Sequence, residues 1–131
     1  MYEIKKTPWG YRLSFQGFIE KGEMANWVNE SQNTLNTENR GTFNIFVDMR
    51  GLKPLPPEAQ KEMETGQKLY KGKGMARSVV IVDNPTTQMQ FKRLAKQTGI
   101  YQWERYIDAS SKPNWEQVGL DWINNGKDPD L

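Results

Sequence analysis

Apolar positions along this chain switch between two periods. Tyr11, Leu13 and Phe15 alternate with polar neighbours as a half-buried strand does, and with Tyr2 to Lys6 they flank a Thr-Pro-Trp-Gly turn, predicting an opening hairpin. Met24, Trp27, Val28 and Leu35 then share one stripe of a helix, with Gly41 closing the connection that follows. Phe43 to Met49 is a continuous, largely apolar run, the pattern of a central strand covered on both faces and hence of a parallel sheet. Pro56-Pro57-Glu58 starts the next helix, whose inner face is Ala59, Met63, Gly66 and Tyr70.

Arg77 to Val82 predicts a second buried strand, ended where Asn84 can cap a helix and Pro85 can take its first position. Phe91, Leu94, Ala95 and Thr98 form the inner face of that helix, Gly99 stops it, and Trp103 to Asp108 supplies a last strand. Ser110 or Ser111 is expected to cap a final helix with the stripe Trp115, Val118, Gly119, Trp122 and Ile123. The resulting order implies an α/β fold: a mixed, mostly parallel sheet of about five strands with an N-terminal β-hairpin, covered by about four helices in one layer or two. A single domain over residues 1–126 is expected, with 127–131 as a frayed tail.

The chain is 131 residues long, enough for one core. Lys and Arg number 18 against 16 Asp and Glu, and a net charge of +2 is too small for the broad positive field that nonspecific nucleic-acid binding needs. There is no Cys and no His. Disulfides, thiol nucleophiles, imidazole bases and ordinary zinc sites are therefore excluded, leaving carboxylate, Lys or Tyr chemistry. Met1 to Lys6 lacks the apolar run of a signal peptide, and nothing approaches the roughly 20 apolar residues that span a bilayer, so a soluble, cytoplasmic chain is expected. Five Trp, five Tyr and five Phe are generous for a mean hydropathy of −0.85, so rings must supply much of the core.

The strand-to-helix junction from Val47 to Ala59 is where ligands would gather in an α/β domain. Asp48 and Arg50, two residues apart at a strand end, point to one side and form either a ligand contact or a mutual ion pair at the sheet rim. Lys68, Lys71, Lys73 and Arg77 surround Gly72 and Gly74, but this segment follows a helix and precedes a strand, the reverse of a phosphate-binding P-loop. Glu58 and Glu62 share a helix face as solvated acids do, and no catalytic constellation, cofactor site or metal site emerges.

The element order, together with Val47-Asp48-Met49-Arg50-Gly51-Leu52, resembles the STAS domain of anti-sigma-factor antagonists, and more closely the SpoIIAA-like group. Arg77 to Asp83 is similar to that group's strand of Arg, small apolar residues and a terminal acid. Tyr106-Ile107-Asp108 and Asp121-Trp122-Ile123 resemble its last strand and Trp-ended helix. In STAS antagonists a serine at the helix start after this loop is phosphorylated to break the partner complex. Here that place holds Pro56, Pro57, Glu58 and Ala59, and no Ser or Thr lies between Thr42 and Thr65. The resemblance therefore implies a non-catalytic regulatory module that binds a protein partner without this switch. Glu58 suits the helix dipole and stands where a modified residue would carry charge.

The residues expected to touch a partner or ligand are Asp48, Arg50, Lys53, Glu58, Trp27 and Tyr70. The SpoIIAA-like fold is also similar in topology to lipid-carrying CRAL-TRIO domains, which implies the alternative: an apolar or lipid-like ligand between helices and sheet, with membrane contact through the first helix and the basic loop. Trp9 and Trp27 are the rings expected to be partly exposed. A homodimer is the remaining expectation for assembly.

Overall fold

The computed structural model describes all residues, Met1–Leu131. One five-stranded sheet has the order β1-β2-β3-β4-β5, built from β1 (Tyr2–Thr7), β2 (Gly10–Phe15), β3 (Phe43–Asp48), β4 (Met75–Val82) and β5 (Glu104–Asp108). β1 and β2 form the predicted antiparallel hairpin, with Tyr2 opposite Phe15, and every later neighbour is parallel. Four helices connect or follow the strands: α1 (Lys21–Glu38), α2 (Pro57–Gly72), α3 (Pro85–Thr98) and α4 (Trp115–Asn125). The α/β class, the mixed sheet and the helix count agree with the pattern read from the sequence.

Because β2 to β5 are laid side by side in chain order, crossovers of one hand place α1, α2 and α3 on the same face. The larger core lies there, where Leu13, Phe15, Ile45, Val47 and Val80 meet Trp27, Met63, Tyr70 and Phe91. α4 alone covers the opposite face, packing Trp122 and Ile123 on Phe46, Val79, Ile81 and Ile107. β3 and β4 are thus sandwiched, which is why their sequences read as apolar runs. The hairpin is covered on the α4 face only in part: Glu3 and Lys5 are exposed, while the half-buried Arg12 lies over Phe46 and pairs with Glu116 of α4 at 2.7 Å.

Local rules account for most boundaries. Asn84 takes the N-cap of α3, its side-chain oxygen accepting from the backbone N–H groups of Thr86 and Thr87 at 2.9 and 3.2 Å. Gly99 ends that helix in the left-handed region at φ 85°. The expected serine cap of α4 is not formed. Ser110 instead donates its hydroxyl to Asp108, and the helix begins at Trp115 behind Asn114, because Pro113 disfavours helical backbone at the residue before it. Lys127–Leu131 is irregular but tethered, since Arg105 grips Asp128 with two hydrogen bonds of 2.9 Å.

Trp27 differs from expectation. It is 2% exposed, stacked on Tyr70 with ring centres 5.6 Å apart and crossed edge-on by Phe15, while Trp9 is half-buried against the core beneath α4. Gly66 of α2 explains the burial, because the missing side chain leaves the space that the indole fills.

Candidate functional site

At the carboxyl rim of the sheet, Met49 to Leu52 form a tight turn closed by the Leu52 N–H donating to the Met49 carbonyl at 3.1 Å, with Gly51 at φ 79°. The turn is held from three sides. Gly17, just beyond β2, donates to the Gly51 carbonyl and accepts from the Lys53 N–H, both at 3.0 Å. From the β4 exit, the Asp83 carboxylate accepts the Gly51 N–H at 3.1 Å. From α3, Thr87 donates its hydroxyl to the Leu52 carbonyl at 3.1 Å and Gln90 accepts the Leu55 N–H at 2.8 Å.

Within this frame Asp48 and Arg50 pair with each other. Arg50 donates Nε to Oδ1 at 3.0 Å and a terminal nitrogen to Oδ2 at 2.9 Å, and its guanidinium lies 4.1 Å over the Trp115 ring. The fork stitches α4 to the end of β3, so the buried Asp48 is committed to structure. Lys53 and Glu58 are exposed and enter no ion pair. Pro56 occupies the N-cap of α2 and Pro57 its first turn, removing two donors that an anion would use. Phe18, which the sequence did not single out, stands 58% exposed beside Gly17 at the same rim.

Trp27 and Tyr70 lie elsewhere, inside the larger core. The Tyr70 hydroxyl shares a 2.7 Å hydrogen bond with Ser31 Oγ, and burial pushes its pKa upward. The six expected contact residues therefore fall into two groups: Asp48, Arg50, Lys53 and Glu58 at the rim, Trp27 and Tyr70 in the interior. The parallel strands run in unbroken sequence order, so no strand-order reversal opens a crevice between the groups.

The structure also brings together a buried polar cluster that the sequence did not suggest. Glu104, at the start of β5, is 5% exposed and turned toward α2 and α3, alongside Gln67 and opposite Ser78 of β4. The Tyr106 hydroxyl donates to Glu104 Oε1 at 2.5 Å, and Thr98 donates to Gln67 Oε1 at 2.8 Å. Burial pushes the Glu104 carboxyl above the usual range, opposed by the hydroxyls of Tyr106 and Ser78, and Tyr106 is itself driven upward by burial and by Glu104. The cluster borders a cavity of about 40 Å³ walled mostly by apolar side chains, including Phe15, Trp27, Met63, Met75 and Phe91. Alternation along β5 pairs Glu104 with Tyr106 on one face, which is the only sequence signal for it. On an edge strand that face reads equally well as solvated.

The basic segment after α2 is partly consumed internally. Lys71 donates to the Met75 carbonyl at 3.0 Å and lies 3.8 Å over Trp103, and Arg77 donates to the Ile123 carbonyl at 3.3 Å. Lys68 and Lys73 remain exposed. No helix is long and apolar enough to cross a membrane, and no group of three His, Cys, Asp or Glu side chains is placed to hold a metal ion. No protein-family model, curated protein or solved structure matches the chain.

Proposed function

We propose that this chain is a non-catalytic, STAS-like interaction module that binds a protein partner at the joined exits of β2 and β3 and the first turn of α2. The Gly17–Leu52 bridge carries the reading, because it joins the two segments that carry the exposed Phe18 and Lys53 on a backbone pinned from β2, β4 and α3. An aromatic anchor with rim charges, presented without a large ordering cost, is what a compact protein interface uses. Glu58 adds a permanent negative charge at the helix start in place of a modifiable hydroxyl, so binding is constitutive.

A photo-crosslinking residue placed at Phe18, compared with one at the exposed Lys5 of β1, tests the assignment in the native host. One discrete adduct at position 18 that disappears with Lys53→Glu is the expected result. Equal labelling at both positions overturns it, and an adduct of twice the chain mass would name a second copy as the partner.

The alternative of an acyl-sized apolar ligand draws on the three methionines, Met49, Met63 and Met75, that line the cavity and can repack. It asks for much more than the room present, since small-molecule pockets are typically about 300–1,000 Å³. Native mass spectrometry of the freshly purified protein decides, because a retained acyl ligand appears as a fixed mass increment.

A further inference from the structure

Asp48 and Glu104 are the two buried acids, and they are treated differently. Asp48 has the Arg50 fork. Glu104 has only neutral neighbours, the hydroxyls of Tyr106 and Ser78, and no positive charge among the groups that act on it. Burial of a carboxylate without a cation is costly, and here the group lines a cavity. Glu104 is also the residue which that cavity shares with an outer pocket formed by Lys92, Tyr101, Tyr106 and the Arg105–Asp128 pair. Glu104 thus stands between the two, with the Tyr106 hydroxyl closing over its carboxylate.

The chemistry of the walls selects the occupant. An anion is repelled, and a neutral apolar group leaves the carboxylate uncompensated. A hard metal ion wants about six to eight oxygen ligands, whereas the side chains of Glu104, Ser78 and Gln67 supply few, and Gln67 Oε1 already accepts from Thr98. A primary ammonium brings one charge and three donors, and the aromatic rings of Phe15, Trp27 and Phe91 in the walls favour a cation carrying a small apolar body. Size limits that body: about 40 Å³ holds only a few water-sized atoms, at roughly 10–15 Å³ for each water.

We propose that Glu104 is the recognition group of a binding site for a small primary ammonium of methylammonium size. The site is independent of the partner surface at the β2 and β3 exits.

The full chain, titrated with methylammonium chloride against sodium chloride at constant ionic strength, tests the proposal by amide NMR. Saturable shifts centred on Gln67, Ser78 and Glu104 are expected, with no such response to tetramethylammonium, which has no N–H donor and more bulk. Glu104→Gln should weaken methylammonium binding at least tenfold while keeping a folded spectrum. Unsaturable shifts spread over surface acids, an equal response to tetramethylammonium, or unchanged affinity in Glu104→Gln overturns it. Should that variant not fold, the comparison of the two cations on the native chain decides alone.

Discussion

Gly66 of α2 lies against the indole of Trp27 so closely that a Cβ at position 66 would sit 2.0 Å from the ring. The contact fixes how near α1 and α2 approach and seats Trp27 between Phe15 and Tyr70. Gly66→Ala gains helix propensity but forces the ring to move within a packed core, where overpacking typically costs about 1–3 kcal/mol. A net loss of about 2 kcal/mol is expected, read as a lower urea midpoint with an unchanged slope.

Asn44 holds the sheet to the end of α4. Its amide donates to the Ile123 carbonyl at 2.7 Å, and its oxygen accepts the Arg77 N–H at 3.1 Å. Asn44→Ala leaves those backbone groups without this partner and should cost about 1–3 kcal/mol. Amide exchange should quicken first in α4, and uniform quickening through β3 and β4 would count against a local role.

The pH dependence of stability should carry the mark of Glu104. Its folded carboxyl is held above the ordinary range by burial, so its contribution is fully present below the unfolded value of about 4.3 and is lost as pH rises through the folded value. Tyr106 on its own strand, Ser78 on β4 and Gln67 on α2 are its polar neighbours, and Lys92, Arg105, Asp128 and Asp130 line the outer pocket without shifting it. Glu104→Gln removes this titration. Melting temperatures of the two proteins should diverge in favour of the variant as pH rises above the unfolded value, and parallel curves would show that Glu104 keeps an ordinary pKa.

Arg50→Ala strips the fork from the buried Asp48 and the cation from Trp115. Arg50 is itself about half-exposed, so part of the loss is screened by water. A destabilisation of about 1–2 kcal/mol is expected, since a charge-assisted hydrogen bond is worth roughly 1.5–3 kcal/mol at best. Arg50→Ala,Asp48→Asn should recover part of it in a double-mutant cycle, because the uncompensated acid is then gone.

The hairpin, the apolar runs of β3 and β4, the proline starts of α2 and α3, and the inner faces of the helices were all legible in the chain. Each rests on forces between near neighbours: period, ring constraint and capping. The Asp48–Arg50 pair was legible for the same reason, being two residues apart on one strand face. The start of α4 was misplaced because Ser110 turns its hydroxyl back onto Asp108 instead of accepting from the first N–H groups of a helix, which begins only at Trp115.

Trp27 shows the limit of periodicity, since the stripe identifies an inward face and not how closely another helix comes. That distance depends on Gly66, 39 positions away. The sequence alone determined the elements and their order, through local preferences that need no knowledge of distant contacts. Only tertiary structure decided that consecutive parallel strands leave no crevice at the rim, that Gly17 bridges to Leu52, and that Glu104 is buried without a cation, because each follows from pairing between strands far apart in the chain.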